Sequence, residues 1–446
     1  MSAREPIPRA AAAGRGDARP EPLGVVDGVH VFRLANGLVI LLEPMAETAS
    51  VAGGIWLPVG SRDEAADENG IAHFLEHMLF KGTTSRDARA IASSIEDVGG
   101  QLDAHTARDH TAIHGRVLAA DAPLLVELIA DLVMNPAFAE EELVRERTVV
   151  LQEIAEIEDD EEESLHDLLQ ETAFPDQPLG RPILGRAEIV AGFSREAVRG
   201  FHRRHYHAAG AVLAFAGALE PEPFARLLAQ HFAAMPKGRR PARAPARYRG
   251  GRAVAVKDCE QLHLALALPS LSQADPALAA LQCLATLLGG GMSSRLFQRV
   301  REERGLAYSV YAAPSAFEET GLLALVAPTA PGAGEEVLAI MCAELKDALA
   351  HPRADEIARA KAQLEAGLLM ARENAAVRAE QRARQWMVHG RVLGLDELVA
   401  RIAAVDEAAV SGLAETLLAA PPTLAAIGPD DRIRHAADRH LAALGR

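Results

Sequence analysis

His73, Glu76 and His77 stand at i, i+3 and i+4 of DENGIAHFLEHMLFKGT, a stretch whose apolar period reads as a helix. At that spacing all three side chains leave one helix face. Two imidazoles one turn apart reach a single divalent ion, with nitrogen–zinc distances of about 2.0–2.1 Å. A carboxylate between them is placed to touch a water on the ion rather than the ion. This HxxEH order reverses the commoner HExxH. The other faces of the helix carry Ile71, Phe74, Leu75 and Leu79, so the polar trio is held toward a core, where it is costly without a partner. A satisfied structural cluster is the competing reading.

A hydrolytic zinc site needs three protein ligands and one open position. Two histidines leave the third to another segment, and the candidate is the acidic helical stretch EEELVRERTVVLQEIAEIEDD. Glu146 and Glu153 lie seven residues apart, two turns, and share a face. Neighbouring Val149, Val150 and Ile154 mark that face as partly buried. Periodicity does not choose between the two glutamates.

The elements that must hold these residues follow from turn and cap signals. VHVFRLANGLVILLE reads as a β-hairpin turning at Asn36-Gly37. SVAGGIWLPVG adds a strand. The HxxEH helix starts near Asp67 or Asn69 and ends before Gly82, and a second helix runs from near Ser85 to Gly99-Gly100. The strands GGQLDAHTA and HTAIHGRVL follow, then a helix ending before Asn135-Pro136 and the long helix from Glu140 past Glu156. PKGRRPARAPARYRGGR, residues 236–252, has no apolar period and reads as a linker.

The segments on either side of that linker look like copies. ILGRAEIV at 183–190 recurs as VLGLDELV at 392–399, and the same offset carries HFLEHMLFKG at 73–82 onto QCLATLLGGG at 282–291. Apolar positions agree, whereas His73, Glu76 and His77 become Gln282, Ala285 and Thr286. Polar residues present in one copy alone point to chemistry rather than packing. The expected organisation is a disordered tail at 1–25, a zinc-binding domain at 26–235, the linker at 236–252 and a second domain at 253–446 without the zinc motif.

Composition narrows the class. The 446 residues suit two domains, and 49% hydrophobic with 24% charged residues is the balance of a folded chain. A net charge of −16 with no Lys/Arg run among aromatics argues against nucleic acid. No apolar run approaches the roughly 18 residues a membrane span needs, and the first 25 residues lack a secretory core. A cytoplasmic location without membrane contact is expected. Cys259, Cys283 and Cys342 form no CxxC pair and read as free thiols. The run EIEDDEEE at 156–163 is either a solvated helix end or an acidic wall steering basic peptides.

GIAHFLEHMLFKGT, RERTVVLQEI, FPDQPLGRPILG, and RERGLAYSVY with its preceding Arg301 together resemble the pitrilysin and mitochondrial-processing-peptidase family of inverzincin metallopeptidases. The resemblance spans nearly all of the chain beyond the tail. It implies an α+β fold: two homologous α/β-sandwich domains, each a mostly antiparallel sheet with helices packed on it, forming a clamshell. It implies one zinc ion per chain on His73, His77 and Glu153, Glu146 as a supporting carboxylate, and Glu76 as general base. It further implies Arg301 and Tyr308 as helpers of the oxyanion, and an edge strand with Asp103, Ala104 and His105 that pairs with extended substrate. Asp103 stands where Asn is typical and His105 where an aromatic is typical. His105, His110 and His114 read as solvated strand and loop histidines rather than a second metal site.

The activity implied is zinc endopeptidase action on short or unfolded peptides. Arg301/Tyr308 and the zinc motif in one chain imply a homodimer, each protomer giving a zinc half and a closing half. The alternative is a catalytically silent scaffold or processing-complex subunit, although Gly289-Gly290-Gly291 is shorter than the glycine-rich loop of the non-catalytic processing subunit.

Overall fold

The computed structural model describes residues 19–240 and 242–444. Seven strands form the first sheet: β1 Glu21–Val26, β2 Val29–Arg33, β3 Val39–Pro44, β4 Ser50–Leu57, β5 Gln101–Thr106, β6 Thr111–Leu118 and β7 Val212–Gly217, in the order β1-β2-β3-β7-β4-β6-β5. All neighbours are antiparallel except β3 and β7. One face is packed by α1 Ile71–Leu79, α2 Ala88–Glu96 and α3 Ala122–Met134, which close a single apolar core around Ile55, Phe74, Ile113 and Leu125. Two further helices follow, α4 Glu140–Asp159 and α5 Glu161–Ala173.

The second sheet repeats this topology. Its strands are β8 Gly251–Val256, β9 Leu262–Ser270, β10 Tyr311–Ala316, β11 Gly321–Thr329 and β12 Thr423–Gly428, in the order β10-β11-β9-β12-β8. Matching β3 to β8, β4 to β9, β5 to β10, β6 to β11 and β7 to β12 reproduces every neighbour, including the one parallel pair, β12 with β8. Its helices include α6 Leu278–Gly289, α7 Gly334–Ala350, α8 Ala354–Ala371 and α9 Ala375–His389. The two-domain α+β architecture expected from the sequence is present, and α6 lies where the repeat puts the counterpart of α1.

Each half covers the other. Leu165 and Leu169 of α5 pack on Ala265, Ala267, Val326 and Ile427 of the second sheet. Ala375, Ala379 and Ala383 of α9 pack on Val39, Ala52, Trp56 and Ala214 of the first. Small residues at the contact let helix and sheet approach closely. The exchange is fixed by buried charge: Arg382 of α9 donates Nε to Glu43 Oε2 and Nη2 to Oε1, both at 3.0 Å, and Arg378 binds the same carboxylate. Burial pulls Glu43 toward the neutral acid, but these guanidiniums win and hold its pKa below the usual range.

The two β-hairpin tips also meet. Asp109, in the β5–β6 turn, accepts from Arg62 at 2.8 Å and from the backbone of Glu318, in the β10–β11 turn, at 3.1 Å. Arg243 joins them through Asp63, Glu318 and the carbonyl of Asp109. The stretch expected as a linker is therefore pinned between the halves at this point.

The tail boundary needs correction. Residues 1–18 lie outside the described residues, and Glu21–Val25 are not tail but most of β1. The missed signal is Asp27-Gly28, both at positive φ (50° and 76°), the two-residue turn that pairs Val26 with Val29. Among the described residues no helix is long and apolar enough to cross a membrane.

Replacing Glu43 by Ala takes their shared carboxylate from the buried Arg382 and the half-buried Arg378. It is expected to cost about 3–5 kcal/mol, the scale for breaking a buried pair from one side. Denaturant unfolding checks it, and an unchanged midpoint would count against the exchanged helices as a locking device.

Candidate metal centre

The sequence placed the start of α1 near Asp67 or Asn69, and the helix begins just beyond them at Ile71. Gly70 precedes the helix with φ 96°, and no side chain at that position caps it. Glu64 does the work from upstream: Oε2 accepts from Gly70 N (2.9 Å) and Asn69 Nδ2 (3.0 Å), and Oε1 from Ala72 N (2.9 Å). Burial outweighs these donors and raises the Glu64 pKa to about 8. A β-carbon on Gly70 would sit 2.5 Å from the carbonyl of Leu184, so this segment of 174–185 presses directly on the start of α1. The helix that bears HxxEH is thus seated at its N-terminus by contacts its own residues do not reveal.

Five apolar side chains of α1 (Ile71, Phe74, Leu75, Met78 and Leu79) are fully buried. The opposite stripe turns His73, Glu76 and His77 toward α4. On α4 the buried stripe is Leu143, Glu146, Val150 and Ile154. Glu153 falls about 20° from Glu146 around the helix, at 100° per residue, and is one-third exposed at its side chain. Val149 lies beyond it and faces solvent, which corrects its expected place on the buried face.

The crossing brings three donors together. His73 Nε2 and His77 Nε2 are 3.2 Å apart, and Glu153 Oε2 stands 3.9 Å from the first and 3.5 Å from the second. All three ligand atoms fall within 4.8 Å of one another, and among the described residues no other trio of His, Cys, Asp or Glu does so. Glu146 does not enter this trio. It accepts from His77 Nδ1 at 2.8 Å and from Lys81 Nζ at 2.8 Å, which turns Nε2 of His77 toward the trio. Glu76 accepts a hydrogen bond from Thr106 Oγ1 of β5.

The surroundings shift the two imidazoles in opposite directions. Burial, then the neighbouring His77, push the His73 pKa down to about 4, so its imidazole is neutral and free to bind. Burial opposes the charge on His77 as well, but Glu146, Glu153 and Glu76 raise its pKa overall. Burial also would raise Glu146, and its bonds to His77 and Lys81 bring it below the usual range. Glu76 is raised by burial despite the bond from Thr106. Two neutral-capable imidazoles and a carboxylate converging on one point form the donor set zinc takes.

The other predicted residues are placed as follows. Asp103, Ala104 and His105 lie on β5, which among the described residues pairs with β6 alone and has no strand on its second edge. Ala104 and Thr106 face the helices, and alternation turns Asp103 and His105 to the other side. Arg301 and Tyr308 are not brought to the histidines. The Arg301 guanidinium lies over the rings of Phe297 (4.7 Å) and Tyr308 (4.6 Å), and Tyr308 is 81% exposed. The acidic run divides: Asp160 caps α5, Glu161 pairs with Lys257 at 2.9 Å, and Glu156, Glu158 and Asp159 remain exposed.

Comparison with known proteins adds the family. The model for insulinase (peptidase family M16) matches residues 39–187, and that for the peptidase M16 inactive domain matches 192–364. A Streptomyces coelicolor protein named an uncharacterized zinc protease is 38% identical over 89% of this chain and 88% of its own length. One of the same description from Rickettsia bellii is 36% identical over 91% and 98%. A solved peptidase M16 inactive domain from Pseudomonas fluorescens superposes with a TM-score of 0.84 at 24% identity, over 90% of this chain and 98% of that one. A Helicobacter pylori protease gives 0.83 at 21% identity, over 91% and 100%.

Glu146→Ala removes the partner of His77 Nδ1 while leaving the three donors. Chelator competition is expected to show zinc held about 10- to 100-fold more weakly; an unchanged affinity would remove Glu146 from the centre.

Proposed function

The chain belongs to the insulinase family of peptidases, peptidase family M16, and on that premise we propose that it is a zinc-dependent endopeptidase acting on short or unfolded peptides. The observation that carries this reading is the convergence of His73, His77 and Glu153, with Glu76 on the same helix and beside a free strand edge. Zinc held by those three side chains supplies a Lewis acid that polarises the scissile carbonyl and acidifies water.

Glu76 takes the proton from the attacking water and passes it to the departing amine. Its raised pKa makes it a better acceptor of the water proton, and because an amine is a stronger base than a carboxylate the proton still passes on. Thr106 fixes the carboxylate. Substrate lies as an added strand along the free edge of β5, recognised there through the backbone of Asp103, Ala104 and His105. Exposed Glu156, Glu158 and Asp159, beyond Glu153 on α4, favour basic peptides by raising their local concentration.

Arg301 and Tyr308 are assigned to the oxyanion that forms at the carbonyl. Their contacts within one chain are with Phe297, Glu302 and each other, and the exposed Tyr308 is available to another chain. The reading is therefore a homodimer in which this pair serves the zinc half of a second copy. A silent scaffold is the alternative; the complete set of His73, Glu76, His77 and Glu153 argues against it.

Glu76→Gln is expected to retain one zinc per chain while kcat on a quenched basic peptide falls by about 10²–10⁴. Turnover persisting in that variant would defeat the mechanism. Tyr308→Phe is expected to lower kcat by about 10- to 1000-fold. Mixing it with Glu76→Gln restores part of the activity, since one mixed site then has both groups. Full activity in a species that light scattering shows to be monomeric would sink the dimer.

A further inference from the structure

The side chains of three histidines on the β5–β6 hairpin, His105, His110 and His114, are given no role in the reaction above, and they are half-buried rather than solvated as the sequence suggested. Register sets Asp103 opposite His114 and His105 opposite Ala112. Positions 103 and 105 on β5 and 112 and 114 on β6 therefore share the face turned away from Thr106 and Glu76, and His110 continues that face just before β6. His110 and His114 are the two diagonal neighbours of His105, and the small Ala112 between them leaves room for three rings. The His105 ring centroid is 5.4 Å from that of His110 and 5.5 Å from that of His114. All three rings are half-buried, with Trp56 stacked by His114 and Glu380 and Arg384 of α9 facing the cluster.

The nitrogens provide the second observation. Nε2 of His105 and Nε2 of His110 approach to 3.4 Å, against 3.2 Å for the His73–His77 pair in the same molecule. We propose that His105 and His110, completed by His114, form a second cation site on the far face of β5, taking an imidazole-seeking divalent ion such as Zn²⁺ or Cu²⁺.

As the rings stand, only the first two nitrogens are within reach of one ion; His114 supplies the third by rotating its side chain. Burial keeps both close imidazoles neutral, with the His110 pKa pushed down to about 3, so no proton competes for the site near neutral pH. Asp103 and Glu380 offset the charge of the ion. Arg384 and Arg243 oppose it; Arg384 is half exposed and paired with Glu380 at 3.9 Å, so it has room to turn outward, and the charge of Arg243 is met by Asp63 and Asp109. An ion here fastens His105 to His110 one residue from Thr106, and so stiffens the strand whose other face holds the general base.

The experiment counts metal on the full-length zinc-loaded chain dialysed against micromolar free Zn²⁺ or Cu²⁺. Two equivalents per chain are expected for the wild type and one for His110→Gln and His105→Gln. The remaining equivalent, lost on His73→Ala, shows that each variant is folded. Amide exchange across residues 101–118 is expected to slow when the second equivalent binds to the wild type, and to stay unchanged in His110→Gln. A wild type that saturates at one equivalent overturns the site, and so does a second equivalent kept by both variants.

Discussion

The metal centre depends on one constraint: α1 and α4 must cross so that two imidazoles and a carboxylate face one another while both helices otherwise pack in apolar surroundings. Polar groups turned inward are costly unless each finds a partner, and the crossing answers that one residue at a time. His77 has Glu146, Glu146 has Lys81 as well, and Glu76 has Thr106. His73 Nδ1 is buried with no partner among the described residues. What remains without a protein answer is the shared space of His73, His77 and Glu153, and a divalent ion is the group that would satisfy all three.

That crossing is held from outside as much as from within. Glu64 seats the start of α1, and the segment ending in Gly185 lies against it. The chain then leaves α4 for α5, which belongs in space to the second sheet, while α9 returns from the second half to the first. A shift of one half against the other would pull on both helices, on the Glu43–Arg382 pair and on the hairpin tips joined at Asp109. The two helices of the candidate centre, α1 and α4, are thereby tied to the whole molecule rather than to one domain.

How much of this was legible in the sequence varies with the range of the interaction. HxxEH and its helix were readable because i, i+3 and i+4 are local. The choice of Glu153 over Glu146 was not readable from periodicity, since a difference of about 20° around a helix decides which carboxylate joins the two histidine nitrogens and which bonds His77 Nδ1 instead; the family resemblance supplied it. The capping by Glu64 escaped because it reaches forward six to eight residues from an irregular turn, outside the usual cap positions. The Asp27-Gly28 turn is local, and its residue types are those such a turn requires. The histidine cluster could be seen only after the hairpin register was known, because His105, His110 and His114 share a face only if His105 pairs with Ala112.

The second half shows what the same scaffold becomes without the chemistry. Its α6 carries Gln282, Ala285 and Thr286 where α1 has His73, Glu76 and His77. Counting from their first residues, α8 offers Ala360 and Gly367 where α4 has Glu146 and Glu153. Ala360 is buried, as Glu146 is, so the packing position is kept while its charge is gone. Such losses come together for a physical reason. With the ion absent, every ligand left behind is a half-buried polar group whose partner has vanished, and each costs on the order of 1–3 kcal/mol. A centre with only some of its polar residues would be less stable than one with all or none, which accounts for the all-or-none contrast between the two halves.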